Sequence, residues 1–107
     1  MAHYLAQVAY TPEAWASMVK NPQDRLAAVA PVIERLGGKL VSGWLAFGDY
    51  DIVAICDMPD NVSAAAFSMA ASAGGGVKAF KTTPLLSVGE AVEAMRKAGG
   101  VGYAPPS

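Results

Sequence analysis

"KLVSGWLAFGDYDIVAICDM" (Lys39–Met58) contains two apolar, strand-like runs that meet at Gly48-Asp49-Tyr50-Asp51. The first run, Lys39–Phe47, and the second, Tyr50–Met58, are separated only by Gly48-Asp49. A two-residue loop with glycine first predicts a primed hairpin turn, because such turns need positive φ. Helical patterns flank this hairpin on both sides, and that arrangement decides the fold.

Before the hairpin, Leu26, Val29, Ala30, Ile33 and Leu36 recur at helical spacing, with Asp24, Arg25, Glu34 and Arg35 off the stripe. Gly37-Gly38 ends that helix, since glycine takes the left-handed cap conformation freely. Thr11-Pro12 and Asn21-Pro22 are two successive start signals, so one short helical turn leads into the longer helix. The first strand is "HYLAQVAY" (His3–Tyr10).

After the hairpin, Pro59-Asp60 opens a helix with Val62, Ala66, Met69, Ala70 and Ala73 on one face; its small alanines predict close packing on a sheet. Gly74-Gly75-Gly76 stops it, and Val77–Leu86 reads as the last strand, ending near Pro84. Ser87 and Glu90 form a capping box before a terminal helix with Val88, Ala91, Val92 and Met95 on its apolar face. The order β-α-β-β-α-β plus a terminal helix is the α+β, ferredoxin-like split βαβ arrangement. It predicts a four-stranded antiparallel sheet with both main helices on one face. Residues 1–98 read as one domain, and residues 99–107 as a Gly/Pro-rich tail.

In the second strand of the hairpin, Tyr50, Ile52, Ala54 and Cys56 point one way, and Asp51, Val53, Ile55 and Asp57 the other. Both sets have apolar centres, whereas a sheet wetted on one side should alternate more cleanly. The composition agrees: 53% of the 107 residues are hydrophobic and 16% charged, with a mean hydropathy of +0.30. That is too little polar residue to coat a monomer of this size, so a second, intersubunit core is expected. The protein itself, as a homodimer or higher oligomer, is the simplest cover for the open face.

The net charge of −1 and the scattered lysines and arginines give no basic stripe for nucleic acid. One cysteine, Cys56, cannot form an internal disulfide, and one histidine, His3, cannot build a His-rich metal site. No nucleotide-cradling motif occurs, so no cofactor is expected: Gly74-Gly75-Gly76 lacks the Lys-Ser/Thr of a P-loop and follows a helix. No basic region followed by an apolar run opens the chain, and no apolar stretch reaches the roughly 20 residues of a membrane span. A soluble, cytoplasmic protein is expected.

The stretch "GKLVSGWLAFGDYDIVAICDMPD" (Gly38–Asp60), followed by an Ala-rich helix and a strand after glycines, resembles the GYD-domain family. That family is named for a Gly-x-Tyr-Asp element, here Gly48, Tyr50 and Asp51. The resemblance covers about residues 3–98. It implies a dimeric α/β-barrel type of assembly, in which two ferredoxin-like sheets close face to face. It supplies no catalytic residue, because the family is functionally uncharacterised.

Two constellations are candidates for a site. Tyr50 offers a flat ring with a hydroxyl, and Asp51 a carboxylate beside a strand end; the alternative is a core plug and a cap on free backbone N–H groups. The second is a mixed face of His3 and Gln7, Ser42 and Trp44, and Lys81 or Thr83, which would form an aromatic pocket for a small, partly apolar ligand. Its alternative is a hydrogen-bonded subunit interface. Cys56, in an apolar strand, reads as an inert buried thiol. Three functions follow. The first is a homo-oligomeric small-molecule-binding or regulatory protein with its pocket at the covered sheet face. The second is a small cofactor-free enzyme of oxygenase or isomerase type, using Tyr50, Asp51 or His3 at a barrel mouth. The third is a protein-interaction module.

Overall fold

The structure, a computed structural model, describes residues 1–107. The chain forms β1 (Ala2–Tyr10), α1 (Pro12–Lys20), α2 (Arg25–Arg35), β2 (Lys39–Leu45), β3 (Ile52–Met58), α3 (Asn61–Ala73), β4 (Val77–Leu85) and α4 (Val88–Gly99). The strands make one sheet in the order β2-β3-β1-β4, every neighbour antiparallel. This is the α+β, ferredoxin-like architecture expected from the order of elements.

Strand alternation assigns the two faces. Tyr4, Ala6 and Val8 of β1 and Ile52, Ala54, Cys56 and Met58 of β3 are buried. Tyr4, Cys56 and Met58 form a core with Ile33 of α2 and with Ala64 and Phe67 of α3. His3, Leu5 and Gln7 pair with Asp57, Ile55 and Val53, so all six share the opposite face. The two main helices, α2 and α3, pack on the Tyr4–Met58 side of the sheet.

Each helix start is fixed by a side chain that accepts one of the first free N–H groups. The Thr11 hydroxyl accepts from the Ala14 N–H at 3.1 Å, Asp24 from Ala27 at 3.0 Å, and Asp60 from Ser63 at 2.8 Å. The Asn21-Pro22 signal is therefore overruled: α2 is capped by Asp24, and the segment before it is a separate helix of 9 residues. The α2 stripe is as expected, with Ile33 only 1% exposed.

Two other expectations fail. The buried residues of α3 are Ala64 and Phe67, while Val62 and Met69 are exposed. That helix is apolar nearly all round, so periodicity could not select a face. The hairpin loop is also longer than two residues. β2 ends at Leu45, paired with Ile52, and the bond from the Ala46 N–H to the Asp51 carbonyl (2.8 Å) closes a four-residue loop, Phe47–Tyr50. Phe47 is 98% exposed and Tyr50 lies in the loop, not in β3.

Only 11 of 107 residues are buried, and the radius of gyration is 17.0 Å, against about 13 Å for an ordinary domain of roughly this length. Part of the difference is α4, which has no buried residue and shows Val88 and Met95 to solvent. Its capping box is complete: Ser87 accepts from the Glu90 N–H (3.1 Å), and the Glu90 carboxylate accepts from the Ser87 N–H (2.9 Å). These bonds hold Glu90 below the ordinary carboxylate pKa. A depressed folded-state pKa means stabilisation that is present above the ordinary value and lost as pH falls through the folded one. Acidification below the ordinary carboxylate range is therefore expected to fray the first turn of α4, read as loss of amide protection at Gly89–Ala91 before the sheet amides change.

Candidate functional site

Asp51 lies where β1, α1 and the hairpin loop converge, and the local sequence explains why. β1 ends at Tyr10 and the chain turns at Thr11 into α1, which leaves the Tyr10 N–H and the Trp15 indole N–H directed towards the loop. One carboxylate oxygen, Oδ2 of Asp51, accepts both, at 2.9 Å and 3.2 Å. The Asp51 N–H donates to the Val8 carbonyl at 2.7 Å. The Tyr10 and Trp15 rings meet edge to face, with centroids 5.7 Å apart. The carboxylate is thus a structural clasp on two donors, the capping role weighed against catalysis above. Tyr50, half-buried, makes no side-chain hydrogen bond.

The mixed-face residues do come together. His3, Gln7, Lys81, Thr83, Ser42 and Trp44 all occupy register positions on the face away from the helices: Gln7 lies between Val53 and Lys81, Leu5 between Ile55 and Thr83, and Trp44 opposite Val53. His3 pairs with the Asp57 carboxylate across the strands. Trp44 is 59% exposed, and the face is apolar at its centre through Leu5, Val53 and Ile55. Tyr50 and Asp51 do not join the His3 group. Asp51 bonds to Val8, five residues along β1 from His3, which is about 17 Å of strand.

A partly open apolar space lies on the other side of the sheet. A cavity of about 300 Å³ opens between the sheet, α2 and α3, and 17 of its 20 lining residues are hydrophobic. Its floor is Ala6, Val8, Ile52 and Ala54; its walls include Leu26 and Val29 of α2, Phe67 of α3 and Phe80 of β4. Phe67 and Phe80 meet edge to face at 5.5 Å. On the α3 side the lining includes Ala70, Ala71, Gly74 and Gly75, which put at most a methyl group into the space. The sequence showed those alanines, but read as close packing they hid the hollow.

Cys56 is on the cavity wall and 3% exposed. Burial, and then the neighbouring Asp57 charge, push its thiol pKa up, so it stays protonated. Tyr10 and the half-buried Arg25 also line it, Arg25 being the only charged lining residue. Neither Arg25 nor Tyr10 was picked out in the sequence as a site residue, because their place in the lining depends on how α2 packs on the sheet. A separate, open hollow beside Tyr4, Asn61 and Ser68 contains the buried Thr82 hydroxyl, which lacks a protein partner. No group of three or more His, Cys, Asp or Glu side chains is placed to hold a metal ion, and no helix is long and apolar enough to cross a membrane.

No curated protein matches the chain. The family model of the GYD domain, a small domain of uncharacterised function, matches residues 4–95, which include the Asp51 clasp and the whole sheet but for the first two residues of β1. The chain belongs to the GYD-domain family.

Proposed function

We propose that the protein is a homo-oligomeric carrier or sensor of a small apolar molecule, bound in the cavity between the sheet and its helices, with the open sheet face serving self-association. The observation that carries this reading is the cavity itself. Its volume of about 300 Å³ is twice the roughly 150 Å³ of an apolar cavity that accepts benzene. It lies at the lower end of ordinary ligand pockets, and its lining is overwhelmingly apolar. This moves the pocket from the sheet face where the sequence suggested it to the opposite one.

The enzyme reading has less support. The Asp51 carboxylate is engaged by two N–H groups, His3 is paired with Asp57 at the far end of the strand, and Tyr50, beside Asp51 in the loop, makes no side-chain hydrogen bond. General acid–base work needs such groups within hydrogen-bond reach of one reacting centre.

Native mass spectrometry of the freshly purified protein, repeated after denaturation, tests both halves of the proposal. The expected result is an oligomer carrying a small mass that denaturation releases. In Ala54→Leu, which extends a cavity-floor side chain into the space, the oligomer should remain and the extra mass disappear. A wild-type protein that neither carries such a mass nor takes up added apolar compounds would end the binding reading. For assembly, Ile55→Arg places a charge at the centre of the open face. Burying an unpaired charge in an interface costs several kcal/mol, so dissociation should strengthen by about 100-fold or more with the monomer still folded. Sedimentation showing the wild-type oligomer in this variant would remove the open face from the interface.

A further inference from the structure

We infer that the cavity selects apolar molecules carrying a single carboxylate, and that Arg25 in its lining binds that carboxylate. This rests on the cavity reading above and adds the chemical class of the ligand.

The inference begins with a cation in an unfavourable place. Arg25 is the first residue of α2, and the α2 first turn contains no acidic residue. A positive side chain at a helix N-terminus opposes the helix dipole, which there favours anions. The adjacent Asp24 carboxylate supplies a negative charge at this helix start, but it is turned to the Ala27 N–H as the cap, at 3.0 Å, and makes no ion pair with Arg25. Ion pairs in the protein are confined to His3–Asp57 and Glu93–Arg96, so no carboxylate neutralises Arg25. Its one protein partner is the neutral Gln23 amide oxygen, 3.0 Å from Nη1. The guanidinium presents five donors in a planar fork, and most of that capacity is unused here.

The surroundings give this cation a direction. Arg25 is half-buried although it stands at a helix start, and the other residues lining the cavity include no Asp, Glu, Lys or His. Apart from Arg25 the lining is overwhelmingly aliphatic and aromatic and includes Phe67 and Phe80. An anionic head and an apolar body therefore match the two parts of the lining. One cation in an apolar lining balances one negative charge. A dianion such as a phosphomonoester would leave the second charge uncompensated beside hydrophobic side chains. A carboxylate also accepts the guanidinium fork in bidentate fashion.

The test uses 2-naphthoate and its neutral isostere 2-naphthamide, titrated by calorimetry into the full-length wild-type protein and into Arg25→Gln. Alkylation of Cys56, the sole cysteine and a buried wall residue of the cavity, is slow and requires transient opening of the fold; a ligand bound to the folded state slows it further and so provides a second readout. Arg25→Gln removes a charge from a partly exposed helix start and should leave the fold intact, as far-UV circular dichroism would verify. In the wild type, naphthoate should bind about tenfold more tightly than naphthamide, the scale of one charge-assisted interaction at a half-exposed site. Both should slow Cys56 alkylation. In Arg25→Gln that preference should vanish through weaker naphthoate binding, with naphthamide unchanged. Equal binding of the two probes by the wild type, or a preference that survives in Arg25→Gln, overturns the assignment of Arg25 while leaving the cavity reading in place. Failure of both probes to bind or to protect Cys56 overturns the cavity reading and this inference with it.

Discussion

Asp51→Ala is expected to lower the unfolding free energy by about 2–4 kcal/mol, and Asp51→Asn by only about 1 kcal/mol. The lost group accepts two hydrogen bonds, from the Tyr10 backbone N–H and the Trp15 indole, both partly buried. Alanine leaves both donors without an acceptor, and each such orphan costs about 1–3 kcal/mol, less where water can enter. Asparagine can keep an oxygen at the same place and loses only the charge assistance. Urea denaturation of the three proteins separates the outcomes. Equal stabilities would mean that the clasp contributes nothing and would return Asp51 to the list of candidate catalytic groups. Trp15 fluorescence should report the change locally, because only the alanine variant frees its indole N–H.

Gly38→Ala should be comparably damaging for a steric reason. A Cβ at this position would stand 2.4 Å from the Asp57 carbonyl oxygen and 2.6 Å from the Met58 sulfur, with Ile33 at 3.1 Å. The carbonyl belongs to the neighbouring strand, and Met58 and Ile33 are among the most deeply buried side chains. Relief requires β2 to move away from β3, or Ile33 to leave its place in the core. A loss of about 3 kcal/mol is expected, at the upper end of overpacking costs. Gly43→Ala is the control. Its added methyl would approach the Leu26 side chain at 2.8 Å, but Leu26 is half-buried and borders the empty cavity, so it can turn aside. Thermal melts should show Gly38→Ala far below wild type and Gly43→Ala close to it. If the order were reversed, the strand contact at Gly38 would be looser than the structure describes.

How much of this was legible in the sequence differs from element to element. Cap residues with a side-chain acceptor announced α1, α3 and α4, and the alternation in β3 exposed two apolar faces. The face of α3 was not legible, because a helix of alanines with Val62, Phe67 and Met69 spread around it offers no polar side to exclude. Neither was the loop length, since the backbone bonds of Ala46 and Asp51 to each other and of Asp51 to Val8 are tertiary facts that no dipeptide signals. In the candidate site, strand parity grouped the mixed-face residues, but which parity faces the helices had to come from the packing of Tyr4, Cys56 and Met58 against α2 and α3. The cavity could not be read from the sequence. It depends on how α2 and α3 pack on the sheet, and the residues that line it are 74 positions apart from Ala6 to Phe80.

The central position of β1 also has a consequence for biosynthesis. The first strand to leave the ribosome pairs with residues 52–58 on one side and 77–85 on the other. It therefore has no sheet neighbour until about half the chain has been made, and it keeps a bare edge until β4 emerges. During that interval Leu5 and Val8 sit on an unpaired strand, the kind of surface that joins other chains by edge pairing. Chains that stall or are cut between α3 and β4 should aggregate, whereas loss of the residues beyond α4 should leave the sheet able to close.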